Sequence, residues 1–378
     1  MSQAPIRRQP VLNKQKAITA SRFILQAASS AEAAAVLNSL GDTWPTSRDV
    51  IVTVSGCDLD DGLLAWQPPA NTMVEFPAAA LTQPAAVALM EKLTAAGTGL
   101  CLGDYRPDLE LPAGIKFRYL LADARCNPGL LSAPAPLLAT GLANHKEFGD
   151  ALIGGYDGAA GWFFLHGMPV SDKLNPSHAN TVRVLNLVRQ NADVKDIEAA
   201  LKQDVTLSFK LLRYINSVGF GLSCEIQSFK HAVTILGYEK LNRWLSLLLV
   251  TASKDPIAPA LMQASVARGR FMELVGAGSF DKTQTDNLFI TGAFSLLDTL
   301  LGSKLEAVLQ EMHLPEAIRD ALLERSGLYG PYLDLALSCE GDDTTTIAAK
   351  TEALFLTPER VNHAQFEALQ FADSLQFN

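Results

Sequence analysis

Six histidines, five cysteines and a few glycines are the residues of this chain that could carry metal, nucleophilic or nucleotide chemistry, and their spacing argues against each. His145, His166, His178, His231, His313 and His363 stand apart, and none is followed by the aspartate of a metal-binding His-Asp pair. A metal site needs several donors converging on one point, so a lone imidazole such as His231 reads as a packed or surface side chain. Cys57, Cys101, Cys126, Cys224 and Cys339 are odd in number and form no CxxC, which fits neither a disulfide framework nor a zinc ribbon. They read as reduced thiols. Gly219 and Gly221 make GFG, short of a dinucleotide-binding GxGxxG, and the chain has no P-loop or GxSxG elbow.

Composition narrows the partners. The net charge is −9 and the isoelectric point is near 5.2, which weighs against general attraction to nucleic acid or anionic lipid. Arg7, Arg8, Lys14 and Lys16 are interleaved with Gln9, Pro10 and Asn13 and read as a solvated start to the chain. The opening MSQAPIRRQP lacks the apolar core of a signal peptide, and the longest apolar stretch, residues 244–252, is far short of the ~20 residues a spanning helix requires. A cytoplasmic chain without membrane insertion is expected. With 378 residues, 48% hydrophobic and 19% charged, the composition is that of a folded protein, and the length exceeds what one core usually serves. Two domains follow.

The elements that must position any site change character along the chain. Apolar runs at 50–54, 72–76, 99–102, 117–122 and 161–164 read as strands, each followed by helical or turn sequence, an alternation that argues for a parallel α/β architecture such as a barrel. From about 175 the pattern is helical. Residues 193–203 open on Asp193 and bury Val194, Ile197 and Leu201. The next helix opens on Asp204 and repeats Leu207, Leu211 and Ile215 on one face, leaving Lys210 and Arg213 as an outward basic pair. Ser228 starts a third, with Phe229, Val233 and Leu236 together, and Gly237 supplies the left-handed residue that ends it. Further helices are read at 258–275, 286–301, 304–312, 315–325 and 358–375. Gly167, Pro169 and Pro176 lie among polar residues at 167–177, which places the linker there and gives domains 1–169 and 170–378.

In the second half, Asp204, Lys210 to Arg213, Asn216 with Ser217, Gly219 with Gly221, Ile226 with Ser228, and Leu236 with Gly237 stand in the order of a known signature. The segment resembles the HDOD signalling domain, a helical relative of the HD phosphohydrolases without their metal site. The resemblance implies protein contacts, with Asp204, Lys210, Arg213, Asn216, Ser217, Ser228, His231 and Gly237 as its marker residues. Residues 289–301, FITGAFSLLDTLL, put Ser295 and Leu296 where an HD enzyme would carry its His-Asp pair.

The first half resembles a degraded EAL domain, the cyclic di-GMP phosphodiesterase fold and a distorted (β/α) barrel. The order of RQPVLNKQKAITASRFILQ, VIVTVS, VEFP, LCLGDY, YLLAD, LLATGLAN and GYDGAAGWFF carries the likeness. The resemblance implies a two-metal site, and most of its groups are replaced. Arg22 takes the place of the metal-binding glutamate, Thr53 of the asparagine, Gly103 of the first aspartate of a DDF motif, Leu121 of the lysine, Ala143 of the late glutamate and Ala160 of a glutamine. Glu75, Asp104 and Asp123 remain. A cation at Arg22 with anions lost at 103 and 143 leaves two dications without neutralisation, so an internal pair between Arg22 and a carboxylate is the favoured outcome and a single-cation site the alternative.

The expected fold is therefore α/β plus all-α, a degenerate TIM-like barrel followed by a helical HD-related domain. The expected protein is not an enzyme and has no cofactor or metal. It is a signalling protein acting through protein contacts, with no nucleic-acid partner. A cyclic di-GMP receptor that binds weakly without hydrolysis and a residual metal-dependent phosphohydrolase are the alternatives. Association into a homo-oligomer through exposed barrel faces is left open.

Overall fold

The computed structural model describes residues 5–126, 133–168, 170–173, 176–202, 229–250 and 256–375. In chain order the first elements are β1 (Ile6–Asn13), β2 (Ile18–Gln26), α1 (Ser30–Ser39), β3 (Asp49–Ser55), β4 (Thr72–Pro77), α2 (Pro84–Ala95), β5 (Gly99–Gly103), β6 (Phe117–Asp123), β7 (Leu137–Thr140), α3 (His145–Ile153) and β8 (Gly158–Ala160). The eight strands close into a barrel in sequence order. β1 runs antiparallel to both β2 and β8, and every other neighbouring pair is parallel. β3, DVIVTVS, is a strand because its run of β-branched residues is stiff at χ1 and favours the extended pleat. α1 and α3 start on side-chain caps, Ser29 accepting from the Glu32 amide and Asn144 from the Glu147 amide.

The later elements are helical: α4 (Pro176–Arg189), α5 (Val194–Lys202), α6 (Phe229–Val250), α7 (Ala258–Gly276), α8 (Lys282–Phe294), α9 (Leu297–Leu301), α10 (Leu305–Gln310), α11 (Glu316–Glu324), α12 (Gly330–Glu340), α13 (Thr344–Ala353) and α14 (Pro358–Ser374). No helix among the described residues is long and apolar enough to cross a membrane. α6 is broken at Gly237, whose φ of 73° is positive as expected while its ψ of 171° is extended, a combination open to glycine. α7 and α8 pack with their backbones nearly touching at Gly269 and Gly292: a methyl on Gly292 would stand 2.7 Å from the Arg268 carbonyl oxygen and from the Gly269 backbone. Asn186 of α4 donates to the Glu311 carbonyl at 2.7 Å and accepts from the His313 amide at 3.0 Å, fixing the end of α10.

The chain divides into two compact units, Met1–Gly167 with Leu337–Glu367, and Met168–Ala336 with Ala368–Asn378. The first break falls beside the linker read from sequence, but the assignment of everything after 169 to the helical half is corrected: residues 337–367 return to the barrel. The cause is the shortness of β8. It pairs only with Val11, Leu12 and Asn13 of β1, so the residues before them have an open side. Side chains and a loop complete that seam. The Ile6 amide donates to Asn362 Oδ1 at 3.0 Å, Gln365 Nε2 donates to the Ile6 carbonyl at 2.8 Å, Trp162 Nε1 donates to the Arg8 carbonyl at 2.7 Å, and the Gly161 amide to the Pro10 carbonyl at 3.0 Å. Phe366 stacks on Phe23 with ring centroids 4.1 Å apart, and Trp44 lies 5.4 Å from the same ring.

Two local expectations also change. The strand read at 161–164 is instead β8 at Gly158–Ala160, because Gly161 turns with φ 135° and Phe163–Leu165 coil into a 3-10 turn. The single helix read over 286–301 is two, α8 and α9. Ser295 Oγ donates to the Gly292 carbonyl at 2.6 Å and so competes with the helical ladder, while Leu296 leaves helical geometry at φ −120°, ψ 15°.

Candidate functional site

The barrel lumen is built from one residue of each strand: Val11, Ala20, Ile51, Met73, Cys101, Leu121, Leu138 and Ala160 form a single buried apolar layer. Strand side chains alternate, so residues two further toward the carboxyl ends of the parallel strands point the same way. That rule puts Arg22, Thr53, Glu75, Gly103 and Asp123 above the apolar layer, with Gln9 and then Arg7 above Val11 on the antiparallel β1. Leu121 and Ala160, two positions read from sequence as replaced, lie within the apolar layer itself.

Four of the positions singled out from sequence come together. Arg22 donates from Nε to Glu75 Oε2 and from Nη2 to Glu75 Oε1, both at 2.6 Å, and from Nη1 to Gln9 Oε1 at 2.9 Å. Thr53 Oγ1 donates to Glu75 Oε2 at 2.7 Å. The register explains the meeting, since Thr53 and Glu75 are direct partners across β3 and β4. Gly103 makes room: a Cβ there would lie 2.6 Å from Glu75 Oε1. The pair is buried, with 14% of the Arg22 side chain and 4% of Glu75 exposed. Burial works to lower the Arg22 pKa, but the charge and hydrogen bonds of Glu75, aided by Asp104, outweigh it and hold the guanidinium above its usual value. Burial first, and Glu75 second, push the Cys101 thiol up, which leaves it an inert packing group.

The other positions are not drawn in. Asp104, on the exposed rim, has a positive φ of 53°. Asp123 turns to Arg125, accepting from its Nε at 3.0 Å, its Nη2 at 2.6 Å and its amide at 2.9 Å. The Ala143 amide donates to Glu147 Oε2 at 2.7 Å ahead of α3. A cavity of about 260 Å³ opens beside this corner, with Arg125, Glu147, Asp150 and Tyr156 on its wall. Both oxygens of Glu75 are thus spent on Arg22, residues 103 and 143 supply no side-chain donor, and Asp123 is held by Arg125. The residues present do not fit the two-cation site that the EAL resemblance implies. Among the described residues no group of three or more His, Cys, Asp or Glu is placed to hold a metal ion.

The hydrogen bonds from Arg125, opposed by some burial, hold the Asp123 carboxyl below its usual range. A depressed folded-state pKa contributes stability above the unfolded value of about 4, and that contribution is lost as pH falls through the folded value. Wild type is therefore expected to be slightly more stable than Arg125→Gln at pH 7, with the gap closing in acid. Urea titrations at several pH values check this. A gap that widens below about pH 4 would contradict it.

In the helical unit, Asp204, Lys210, Arg213, Asn216, Ser217 and Ser228 lie outside the described residues. His231 is half-buried on α6. Ser295 accepts from Arg268 Nη1 at 2.6 Å. Arg268 is 2% exposed, and Arg325 lies close enough for Arg268, Asp334 and Asp298 to act on its charge. Sequence reasoning passed over Arg268, Arg125 and Gln9. Only Gln9, two residues before Val11 on the same strand face, had a local signal.

Comparison with known proteins places part of this geometry. The model of the HDOD domain matches residues 175–312 and does not extend to the barrel. The cyclic di-GMP phosphodiesterase CdgJ of Vibrio cholerae is 28% identical over 240 residues, covering 63% of this chain and 56% of that protein. The protein YuxH of Bacillus subtilis is 26% identical over 243 residues, covering 63% of this chain and 59% of that protein. The alignments thus take in less than two thirds of either relative. An HDOD domain protein from Geobacter sulfurreducens, known from its crystal structure, is 14% identical with a TM-score of 0.36, over 50% of this chain and 88% of that one. The expectation that the chain is not an enzyme is corrected: a similar protein carries the name of a phosphodiesterase, which points positively toward enzymatic activity. Over residues 175–312, then, this chain is similar to the HDOD domain.

Proposed function

We propose that the protein works in cyclic di-GMP signalling, its barrel mouth facing the dinucleotide and its HDOD domain making the protein contacts that pass the signal on. The observation that carries this reading is the pairing of an HDOD match with a relative, aligned over 240 residues, that is named a cyclic di-GMP phosphodiesterase. The EAL-like order of motifs along an eight-stranded closed barrel supports it. Ligands of (β/α) barrels are taken up at the carboxyl ends of the strands, and Glu75, Asp104 and Asp123 stand at that end here with Arg7, Arg22 and Arg125.

Calorimetry with cyclic di-GMP on the full chain tests the reading, run beside an assay for linear pGpG with Mg²⁺ or Mn²⁺ present. Saturable binding at micromolar concentration or tighter, about 8 kcal/mol, is expected. Product formation would place phosphodiesterase chemistry in this chain, and binding alone would make it a receptor. Neither binding nor product would remove the dinucleotide from the account.

A further inference from the structure

Arg7 is a cation at the barrel mouth that the pairing of Arg22 with Glu75 does not absorb. It sits two residues beyond Gln9 on the lumen face of β1, opposite Ile24 in the register, and so at the carboxyl end of the parallel strands. Its side chain is only 16% exposed, yet its contacts are long: Nη1 reaches the Gly341 carbonyl at 3.4 Å and Asp342 Oδ1 at 3.3 Å. Asp342 is 92% exposed, and the buried Nε of Arg7 has no hydrogen-bond partner. Burial and the nearby Arg22 lower the Arg7 pKa in spite of Asp342 and Asp343, so its charge is poorly compensated. The same corner is tied to the mouth once more, where Thr344 Oγ1 donates to Gln26 Oε1.

We propose that the corner between α12 and α13, residues 341–344, is a built-in lid whose Gly341 carbonyl and Asp342 carboxylate occupy Arg7 in place of an anionic ligand. The guanidinium fork suits a phosphodiester, which can take two parallel N–H bonds where the corner supplies one stretched bond to each of two groups. Arg22 cannot serve, because Glu75 already holds both its Nε and its Nη2. The ligand class rests on the reading proposed above; the competition itself does not. Residues 337–367 belong to the same compact unit as the barrel, so the lid is part of the module it covers.

Two measurements on the full chain test the lid. In the first, inorganic pyrophosphate and cyclic di-GMP are titrated into wild type, Asp342→Asn and Arg7→Gln. Asp342→Asn is expected to bind both about two- to fivefold more tightly, the factor an exposed ion pair can carry, and Arg7→Gln to lose that gain when combined with it. In the second, hydrogen exchange at the amides of 341–344 is followed, and both pyrophosphate and Arg7→Gln are expected to speed it. Equal or weaker binding by Asp342→Asn, or exchange that neither treatment changes, would overturn the lid. If cyclic di-GMP binds no variant while pyrophosphate still opens the corner, the lid stands and the dinucleotide reading fails. If cyclic di-GMP binds wild type and Asp342→Asn alike, the reverse holds.

Discussion

Replacing Glu75 by alanine is expected to destabilise the barrel by about 3–5 kcal/mol, the usual cost of removing one partner of a buried ion pair. Most of that cost is the orphaned cation. Arg22 cannot shed its proton, whereas a carboxylate left alone can neutralise itself by taking one up. Arg22→Ala should therefore cost less than Glu75→Ala. The double replacement Arg22→Met with Glu75→Leu should recover most of the loss, because an apolar pair of similar volume removes both desolvation penalties. Three of the four tryptophans, Trp44, Trp66 and Trp162, lie in the barrel unit, so their fluorescence in urea follows this transition. A loss below about 1 kcal/mol for Glu75→Ala would mean that the pair is screened by water and does not organise the mouth.

Gly292→Ala is expected to cost the helical unit about 3 kcal/mol, the upper end of what overpacking usually does. Alanine is the better helix former, so propensity alone predicts a gain of about 1 kcal/mol. Packing reverses the sign. The added methyl would meet backbone atoms of Arg268 and Gly269 at 2.7 Å, and backbone cannot rotate away as a side chain would. Gly269→Ala faces the Phe289 carbonyl at 2.6 Å and should behave alike, and the two should not add because each alone already parts the helices. Gly149→Ala on α3, with open space around its Cβ position, is the control and should be neutral or stabilising. Circular dichroism melts distinguish these cases; a stabilised Gly292→Ala would show that α7 and α8 can part freely.

Much of this architecture was legible from local pattern. Short apolar runs announced strands at β3 to β6, because a parallel strand buried on both faces reads as a nearly continuous apolar run of neighbouring residues. Asp193 and Gly237 announced helix boundaries because caps and left-handed turns depend on one residue and its immediate neighbours. A glycine-proline stretch near 167–177 marked a change of unit for the same reason. Two elements were misread where tertiary contacts outvote local preference. Aromatic residues 162–164 have strand propensity but turn after Gly161, and the helical period through 286–301 survives in sequence across a break made by the Ser295 hydroxyl.

By itself the sequence determined that the first half alternates strands and helices, that the second is helical, and that Arg22 shares the first half with Glu75, Asp104 and Asp123 as candidate partners. The tertiary structure alone decided which carboxylate Arg22 takes. Glu75 is 53 residues away, and it wins because strand register sets it beside Thr53 while Asp123 is captured by Arg125 two residues on. It also decided that residues 337–367 close the barrel seam and bring Asp342 to Arg7, more than 330 positions apart. Such pairings depend on strand length, stagger and the open side left by a three-residue β8, and none of these leaves a period in the chain.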